Sequence, residues 1–140
     1  MNKETSIGAI VFKKLSNKFR FLILRRRDNS IWEFPKGHIK TDESEYDTLK
    51  RELSEELGIK EYDLVKDFRE EISYVSSRNV VRKFVFYLLN WDGAIKESEE
   101  HIEHKWITLE EASEYFAYDD MVQLLKRAVN ALNKTNRRLN

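Results

Sequence analysis

The chain has 140 residues, 41% of them hydrophobic and 12% aromatic, which is enough for one folded domain with its own core. Its 25 basic and 25 acidic side chains cancel, so the overall charge gives no reason to expect binding to DNA or to a membrane. The absence of cysteine excludes disulfides, thiolate zinc sites and a cysteine nucleophile.

The first part of the chain predicts a β-hairpin and then a loop. Residues 1–5 contain no apolar core of a signal peptide, and no apolar run in the chain is long enough to span a bilayer, so we expect a cytoplasmic protein. Ile7 to Phe12 and Phe19 to Leu24 are rich in β-branched and aromatic residues and predict two strands, joined by a loop over Lys13 to Lys18. The only proline and one of four glycines fall within Trp32 to Gly37, which predicts a loop with a demanding backbone geometry.

Glu43 to Leu57 is predicted to be a helix. Apolar side chains recur in it at helical spacing: Tyr46, Leu49, Leu53 and Leu57. Asp42 and Glu45 resemble a capping box, and Gly58 stands where a C-terminal cap is expected.

The remaining chain alternates predicted strands and helices. We expect strands over Val65 to Val75 and Val80 to Trp91, an acidic loop from Asp92 to about Lys105, and a short strand at Trp106-Ile107. A short helix over Leu109 to Tyr115, an amphipathic helix over Met121 to Leu132 and a frayed tail over Asn133 to Asn140 complete the chain. Strands flank a central helix and a second helix closes the chain. The pattern therefore predicts an α/β fold in a single domain over residues 1–140, with a mixed sheet covered on both faces.

Three acidic residues share one side of the central helix. Glu52, Glu55 and Glu56 stand at positions i, i+3 and i+4, at the edge of the buried face. Like charges at these spacings oppose folding by roughly 0.2–0.5 kcal/mol per pair. A hard divalent cation would offset this repulsion, because carboxylate oxygens are preferred ligands of magnesium and manganese. Three glutamates alone would favour a solvated acidic face over a cation site.

The residues around these glutamates form a longer pattern. Gly37 is followed after five residues by Glu43, and after seven more by Arg51-Glu52-Leu53-Ser54-Glu55-Glu56-Leu57-Gly58-Ile59. The segment 37–59 resembles the Nudix box, G-x5-E-x7-R-E-U-x-E-E-x-G-U with U aliphatic, at every fixed position. The resemblance implies a Nudix-type α/β/α sandwich around a central mixed β-sheet, and a hydrolase of nucleoside diphosphates linked to another moiety.

The resemblance also implies roles for the box residues. It makes Glu52, Glu55 and Glu56, with the Gly37 carbonyl, ligands of Mg²⁺, with Mn²⁺ as an alternative. It pairs Glu43 with Arg51 to brace the loop–helix–loop. Metal ions would neutralise the phosphate oxygens and lower the pKa of the attacking water.

The resemblance leaves the general base open between two positions. In the family the base is sometimes a box glutamate, here Glu52, and sometimes a glutamate of a later loop, here Glu100 or Glu103. The catalytic candidates are therefore Glu52, Glu100 and Arg51. Without the family pattern, the acidic run Glu97 to Glu103 would be interpreted as a solvated loop.

Flanking segments are similar to the asymmetrical diadenosine tetraphosphate hydrolases. They are Phe34-Pro35-Lys36-Gly37-His38, Ser73-Tyr74-Val75, Lys83 to Leu88, Ser98-Glu99-Glu100-His101, Trp106 and Leu109-Glu110-Glu111-Ala112. The favoured substrate is therefore diadenosine tetraphosphate, cleaved to ATP and AMP. His101 and His104 are interpreted as ordinary loop histidines.

Five residues are expected to contact the substrate. Tyr74 and Tyr87 could stack on adenine, and Lys36, His38 and Lys83 could contact phosphate oxygens. Aromatic residues in strands are also common for packing reasons, so both tyrosines have a structural alternative.

Other functions stay open at this stage. A Nudix hydrolase could act on RNA 5′ ends or on diphosphoinositol polyphosphates. The second substrate would need a dense basic pocket, and the arginine run Arg25 to Arg27 keeps it as an alternative. A non-catalytic Nudix-fold binding module is disfavoured because all box glutamates are retained. The sequence does not decide the number of metal ions or the oligomeric state.

Overall fold

The structure is a computed structural model that describes residues 2–139, with side chains described for residues 2–135. The strands are β1 (Lys3–Leu15), β2 (Lys18–Arg26), β3 (Trp32–Glu33), β4 (Lys36–His38), β5 (Asp63–Leu64), β6 (Glu70–Val75), β7 (Val81–Asn90) and β8 (His101–Ile107). The helices are α1 (Glu45–Leu57), α2 (Ala112–Tyr115) and α3 (Asp119–Leu139), with a 3₁₀ turn at Leu109–Glu111.

The strands form one mixed sheet with β1 at its centre. β1 pairs antiparallel with β2 and β4, and parallel with β7 from Lys3↔Val81 to Phe12↔Asn90. β3 and β8 extend the sheet from β2, and β5 and β6 extend it from β7, all antiparallel. The predicted α/β class with a mixed sheet is confirmed.

Helices cover both faces of this sheet because side chains alternate along its strands. On one face, Ile7 and Val11 of β1 belong to the same buried cluster as Leu49, Leu53 and Leu57 of α1. On the other face, Ile10 and Phe12 of β1 belong to a second buried cluster, which includes the α3 residues Leu124, Leu125, Ala128 and Leu132. The architecture is the predicted α/β/α sandwich.

The first hairpin is tighter than predicted. β1 and β2 remain paired as far as Leu15↔Lys18, so the loop predicted over residues 13–18 is wrong. The connection is only Ser16-Asn17, and both residues have positive φ, 51° and 64°. Two such residues in a row match the twist of a hairpin, and asparagine accepts this conformation readily.

Helix α1 begins two residues later than predicted, at Glu45. Its N-cap is Ser44, whose Oγ accepts a hydrogen bond from the Asp47 N–H at 3.0 Å, while the Asp47 carboxylate accepts one from the Ser44 N–H at 3.1 Å. The predicted cap, Asp42, has a φ of 70° and lies in the preceding turn. Gly58 ends the helix in the left-handed conformation, as predicted.

Three further boundaries differ from the prediction. The strand predicted over residues 65–75 is interrupted by a turn at Asp67, which has a φ of 67°. β8 begins at His101 instead of Trp106, because its polar residues pair with β2. α3 extends to Leu139, so the prediction of a frayed tail is wrong for residues 133–139. Asn140, the last residue of the predicted tail, lies outside the described residues.

Within the described part of the chain, no helix combines the length and apolar character needed to cross a membrane.

Candidate active site

Glu52 on α1 faces the backbone of Gly37 on β4. Gly37 pairs with Ile7, whose side chain packs on the α1 side of the sheet. A Cβ atom at Gly37 would overlap the Glu52 carboxyl group. Only glycine leaves room for this approach, so the loop and the helix bring a backbone segment and a carboxylate together.

Arg51 joins the acidic residues of the helix to the loop before it. Its Nε and Nη2 donate to the two Glu43 carboxylate oxygens at 2.8 and 2.9 Å, and Nη1 donates to Glu52 Oε1 at 2.7 Å. Nη2 also donates to the His38 carbonyl at 3.0 Å, and Nη1 lies 3.5 Å from Glu55 Oε2. The predicted pair of Glu43 and Arg51 is present. The Arg51 guanidinium holds the pKa of Glu43 at about 2.

The Glu52 carboxyl group has the opposite electrostatic environment. Burial raises its pKa above the ordinary value, and the charges of Glu56 and Glu55 act in the same direction, against the lowering effect of Arg51. A cation beside these carboxylates would favour their charged forms. The donor set is therefore chemically suited to a hard divalent ion.

The three glutamates do not converge on one point. Glu52 and Glu55 are drawn to Arg51, and the Glu56 carboxylate accepts a hydrogen bond from Ser98 Oγ at 2.5 Å. Among residues 2–135, no group of three His, Asp or Glu side chains is arranged to hold a metal ion. Glu55 is exposed and Glu52 and Glu56 are half-buried, and side chains of exposed residues change rotamer within picoseconds to nanoseconds.

The loop that carries Glu100 is attached to the box through Ser98. Ser98 Oγ donates to Glu56 and accepts from the Glu100 N–H at 3.3 Å. From the other side, the Arg27 N–H donates to the Glu100 carbonyl at 2.8 Å, and its Nε donates to the Glu99 carbonyl at 2.9 Å. The Glu100 side chain is exposed. Glu103, the other loop candidate, is paired with Arg25 at 3.0 Å.

Sequence reasoning did not assign His101, which is buried, or Glu33, which is half-buried, to the site. The imidazole is 7% exposed, with Nδ1 3.8 Å from Glu56 Oε2 and Nε2 3.9 Å from Glu33 Oε1. Glu33 also accepts from Arg26 Nη1 at 3.1 Å and lies 3.5 Å from Lys36 Nζ. The sequence held one indication for each residue. Glu33 stands between two aromatic residues just before the box, and His101 ends the S-x-E-H segment.

An aromatic cleft of about 410 Å³ opens on the α3 side of the sheet. Its walls include Trp32, Phe34, Tyr74, Phe84, Phe86 and Tyr118. The Tyr74 ring stacks on Phe84 with centroids 5.7 Å apart and planes inclined by 17°, and Lys36 Nζ lies 5.5 Å from the Phe84 ring centroid. Glu33 is also part of the lining, so the cleft reaches the residues that approach Glu56.

Lys83 and Tyr87 are not brought together with Tyr74 and Lys36. Tyr87 packs in the α1-facing cluster and donates to Glu45 Oε1 at 2.5 Å, and burial followed by this contact raises its pKa to about 12. Lys83 Nζ lies 3.3 Å from Glu71. Along β7, residues 83, 85 and 87 point away from the face that carries Phe84 and Phe86.

His38 lies at the end of β4 beside the box. Its imidazole is exposed, and Nδ1 is 3.3 Å from Ser6 Oγ. Its carbonyl oxygen accepts from Arg51. The His38 backbone is therefore hydrogen-bonded to Arg51, the arginine that also donates to Glu43 and Glu52.

Comparisons with known proteins agree with this geometry. The family model of the NUDIX domain matches residues 4–128. The chain is 32% identical over 141 residues to the asymmetrical bis(5'-nucleosyl)-tetraphosphatase of Rattus norvegicus, covering 91% of this chain and 95% of that protein. It is 36% identical over 101 residues to an RNA pyrophosphohydrolase of Campylobacter jejuni, covering 69% and 60%. The solved binary complex of a C. elegans Ap4A hydrolase superposes with a TM-score of 0.86 at 27% identity, covering 94% of this chain and 98% of that one.

Proposed function

The chain belongs to the Nudix family of hydrolases, and we propose on that premise that it cleaves diadenosine tetraphosphate asymmetrically, to ATP and AMP, with a bound divalent cation. The tetraphosphatase relatives cover nearly the whole chain. We also propose that residues 1–140 act as one domain, because the α1 and α3 clusters pack on opposite faces of a single sheet.

The observation that carries this proposal is the aromatic cleft on the α3 side of the sheet, whose lining includes Lys36, the residue before Gly37 of the box. The Tyr74 ring faces the cleft and suits stacking on adenine, because an aromatic face holds a base without reading its edge. Lys36 on the same wall supplies a positive charge for a phosphate. His38, at the end of the same strand, is a further candidate for contact with the phosphate chain.

The cation is assigned to the Nudix box. Glu52, Glu55 and Glu56 provide carboxylate oxygens, and the Gly37 carbonyl is a further oxygen ligand of the kind that Mg²⁺ and Mn²⁺ prefer. When bound, such an ion neutralises phosphoryl charge and makes the attacking water more acidic. Arg51 contributes by holding the Glu52 carboxylate and by limiting repulsion among the three glutamates.

Two carboxylates are candidates for taking the proton of the attacking water. Glu52 is favoured by its position, because its half-buried carboxylate lies against the Gly37 backbone and beside the other carboxylates proposed to bind the cation. Glu100 is the alternative, since its side chain is exposed and its backbone N–H donates to Ser98, which in turn donates to Glu56. Lys83 and Tyr87 stay predicted substrate contacts, on the face of the sheet that carries α1 rather than in the aromatic cleft.

The experiment that tests the substrate is hydrolysis of diadenosine tetraphosphate with Mg²⁺ in ¹⁸O-labelled water. Asymmetric cleavage gives equal amounts of ATP and AMP, and the label identifies the phosphorus that is attacked. Formation of two ADP molecules, or no turnover, would overturn the assignment.

A second candidate substrate is the 5′ end of RNA. The observation in its favour is the 36% identity to the C. jejuni RNA pyrophosphohydrolase. Comparing kcat/KM for diadenosine tetraphosphate and for a 5′-triphosphorylated RNA decides between the two. Diphosphoinositol polyphosphates are disfavoured, because Arg25, Arg26 and Arg27 are engaged with Glu103, with Asp28 and Glu33, and with the Glu99 carbonyl.

A further inference from the structure

We propose that His101 is a positioning residue that orients two carboxylates at once, Glu56 on the box helix through Nδ1 and Glu33 at the cleft through Nε2. The inference rests on the proposed function, because it takes Glu56 as a cation ligand and Lys36, which Glu33 holds, as a phosphate contact.

The first argument is the burial of an unsatisfied imidazole. His101 is 7% exposed, and both ring nitrogens lack a hydrogen-bond partner. Burying polar atoms in this way costs free energy unless they gain partners. The nearest carboxylate oxygens are 3.8 and 3.9 Å away, so shifts of about 1 Å would form hydrogen bonds of ordinary length. Donation to both carboxylates at once requires an N–H on each ring nitrogen, as in the imidazolium form. The imidazole thus lies between two carboxylates, just beyond hydrogen-bonding distance of each.

The second argument concerns which oxygen of Glu56 is used. Ser98 Oγ donates to Oε2, and His101 Nδ1 approaches the same Oε2 atom. Two partners on one carboxylate oxygen set the plane of the group and direct Oε1 away from the loop. Hydrogen bonds that orient a ligating carboxylate contribute to metal affinity. The Nδ1 side of His101 should therefore affect cation binding.

The third argument concerns Glu33 and the cleft. Glu33 Oε1 lies between Arg26 and His101 Nε2, while Oε2 lies 3.5 Å from Lys36 Nζ. The Glu33 side chain is only 12% exposed, so its orientation is set by these neighbours. The position of the Lys36 ammonium group then depends on Glu33. The Nε2 side of His101 should therefore affect substrate binding rather than cation binding.

Two amide substitutions separate these roles. The side-chain amide of asparagine can overlay Nδ1 of histidine, whereas that of glutamine can overlay Nε2. His101→Asn thus keeps the partner of Glu56, and His101→Gln keeps the partner of Glu33. His104→Gln is the matched control, because His104 lies on the same strand but contacts Glu97.

The test measures the dissociation constant of Mn²⁺ by electron paramagnetic resonance without substrate, and KM and kcat for diadenosine tetraphosphate. We expect His101→Gln to weaken Mn²⁺ binding by about tenfold or more with little change in KM. We expect His101→Asn to raise KM several-fold while Mn²⁺ binding stays near wild type. His104→Gln should change neither value.

Equal losses in both variants, or no loss in either, would overturn the inference, since a purely structural histidine would not separate the two readouts. If an amide variant does not fold, Ser98→Ala and Glu33→Gln replace it: the first should weaken Mn²⁺ binding alone and the second should raise KM alone. Wild-type protein without turnover of diadenosine tetraphosphate refutes the substrate instead, and the Mn²⁺ measurements still test the link between His101 and Glu56.

Discussion

Arg51 is the residue that holds Glu43, Glu52 and Glu55 close together. It donates to both oxygens of Glu43 and to Glu52, and it lies within ion-pair distance of Glu55. These contacts offset the repulsion expected for like charges at i, i+3 and i+4. The same arginine also binds the His38 carbonyl, so it links the loop to the helix.

Glu52→Gln should remove most activity and leave the fold intact. Loss of a general base or a cation ligand costs roughly 10²- to 10⁴-fold in kcat. Because the folded state raises the pKa of Glu52, it disfavours the charged carboxylate, so the metal-free variant should melt at the same or a higher temperature at neutral pH. This gain should disappear below the ordinary carboxyl pKa of 4.5.

The measurements are steady-state hydrolysis and thermal unfolding, and the exposed Glu61→Gln is the matched control. Full turnover in Glu52→Gln would contradict the role proposed for this residue. Loss of turnover with an unchanged fold is the result expected of an enzyme.

Glu43→Gln should destabilise the protein in a pH-dependent manner. Arg51 lowers the pKa of Glu43 to about 2 from an ordinary value of 4.5. The stability that ionised Glu43 contributes is therefore fully present above the ordinary value and is lost as the pH falls towards the folded value. In urea unfolding, the gap between wild type and variant should close across this range. Asp42→Asn, an equal charge change in the adjacent turn, should show no such trend.

At the scale of the element, α1 carries its own start and stop signals. Ser44 and Asp47 satisfy N–H groups at its first turn, and Gly58 ends it with a φ of 70°. Tertiary contacts also hold the start of the helix, because the Glu45 carboxylate accepts hydrogen bonds from Arg69 at 2.7 and 2.8 Å and from the Tyr87 hydroxyl. Tyr87 therefore connects α1 to the sheet.

Ser44→Ala should lower the free energy of unfolding by about 1 kcal/mol, within a range of about 0.5–2 kcal/mol for N-cap removal. The loss arises because the Asp47 N–H is left without its acceptor. Urea denaturation measures it. Ser54→Ala, inside the same helix, should cost nothing, since alanine favours helix interiors. An equal loss in both variants would show that the cap is not the cause.

At the scale of the whole molecule, the cleft is assembled from distant parts of the chain. The loop at Ile31, β3, the β6–β7 pair and the start of α3 near Tyr118 each contribute a wall. Their side chains meet only because β7 lies beside β1 and α3 packs on that face. The proposed nucleotide site is thus a property of the folded sheet.

Tyr74→Ala should raise KM for diadenosine tetraphosphate by about fivefold to a hundredfold with little change in kcat. Stacking of a base on an aromatic ring is worth about 1–3 kcal/mol, and Tyr74 is 48% exposed in the cleft. Tyr74→Phe should restore KM, because the ring supplies the interaction. Tyr46→Ala, an exposed tyrosine on the α1 side, is the control. A similar rise in KM for both alanine variants would argue against stacking at Tyr74.

The sequence alone determined the features that depend on local spacing. The helical period put Glu52, Glu55 and Glu56 on one side of a helix, and the pattern from Gly37 to Ile59 predicted the loop–helix–loop and the family. The mixed sheet with a helix on each face also followed from the order of the elements. These predictions succeeded because spacing along a helix does not depend on the rest of the fold.

Only the tertiary structure decided which side chains share a face of the sheet. Tyr74 and Tyr87 were both predicted as candidates for stacking on adenine, and the pairing of β6, β7 and β1 sends them to opposite faces. The approach of His101 to Glu33 and Glu56 likewise depends on the pairing of β8 with β2. Strand register is set by contacts between residues far apart in the chain, and a shift by one residue exchanges the two faces. No local pattern carries that information.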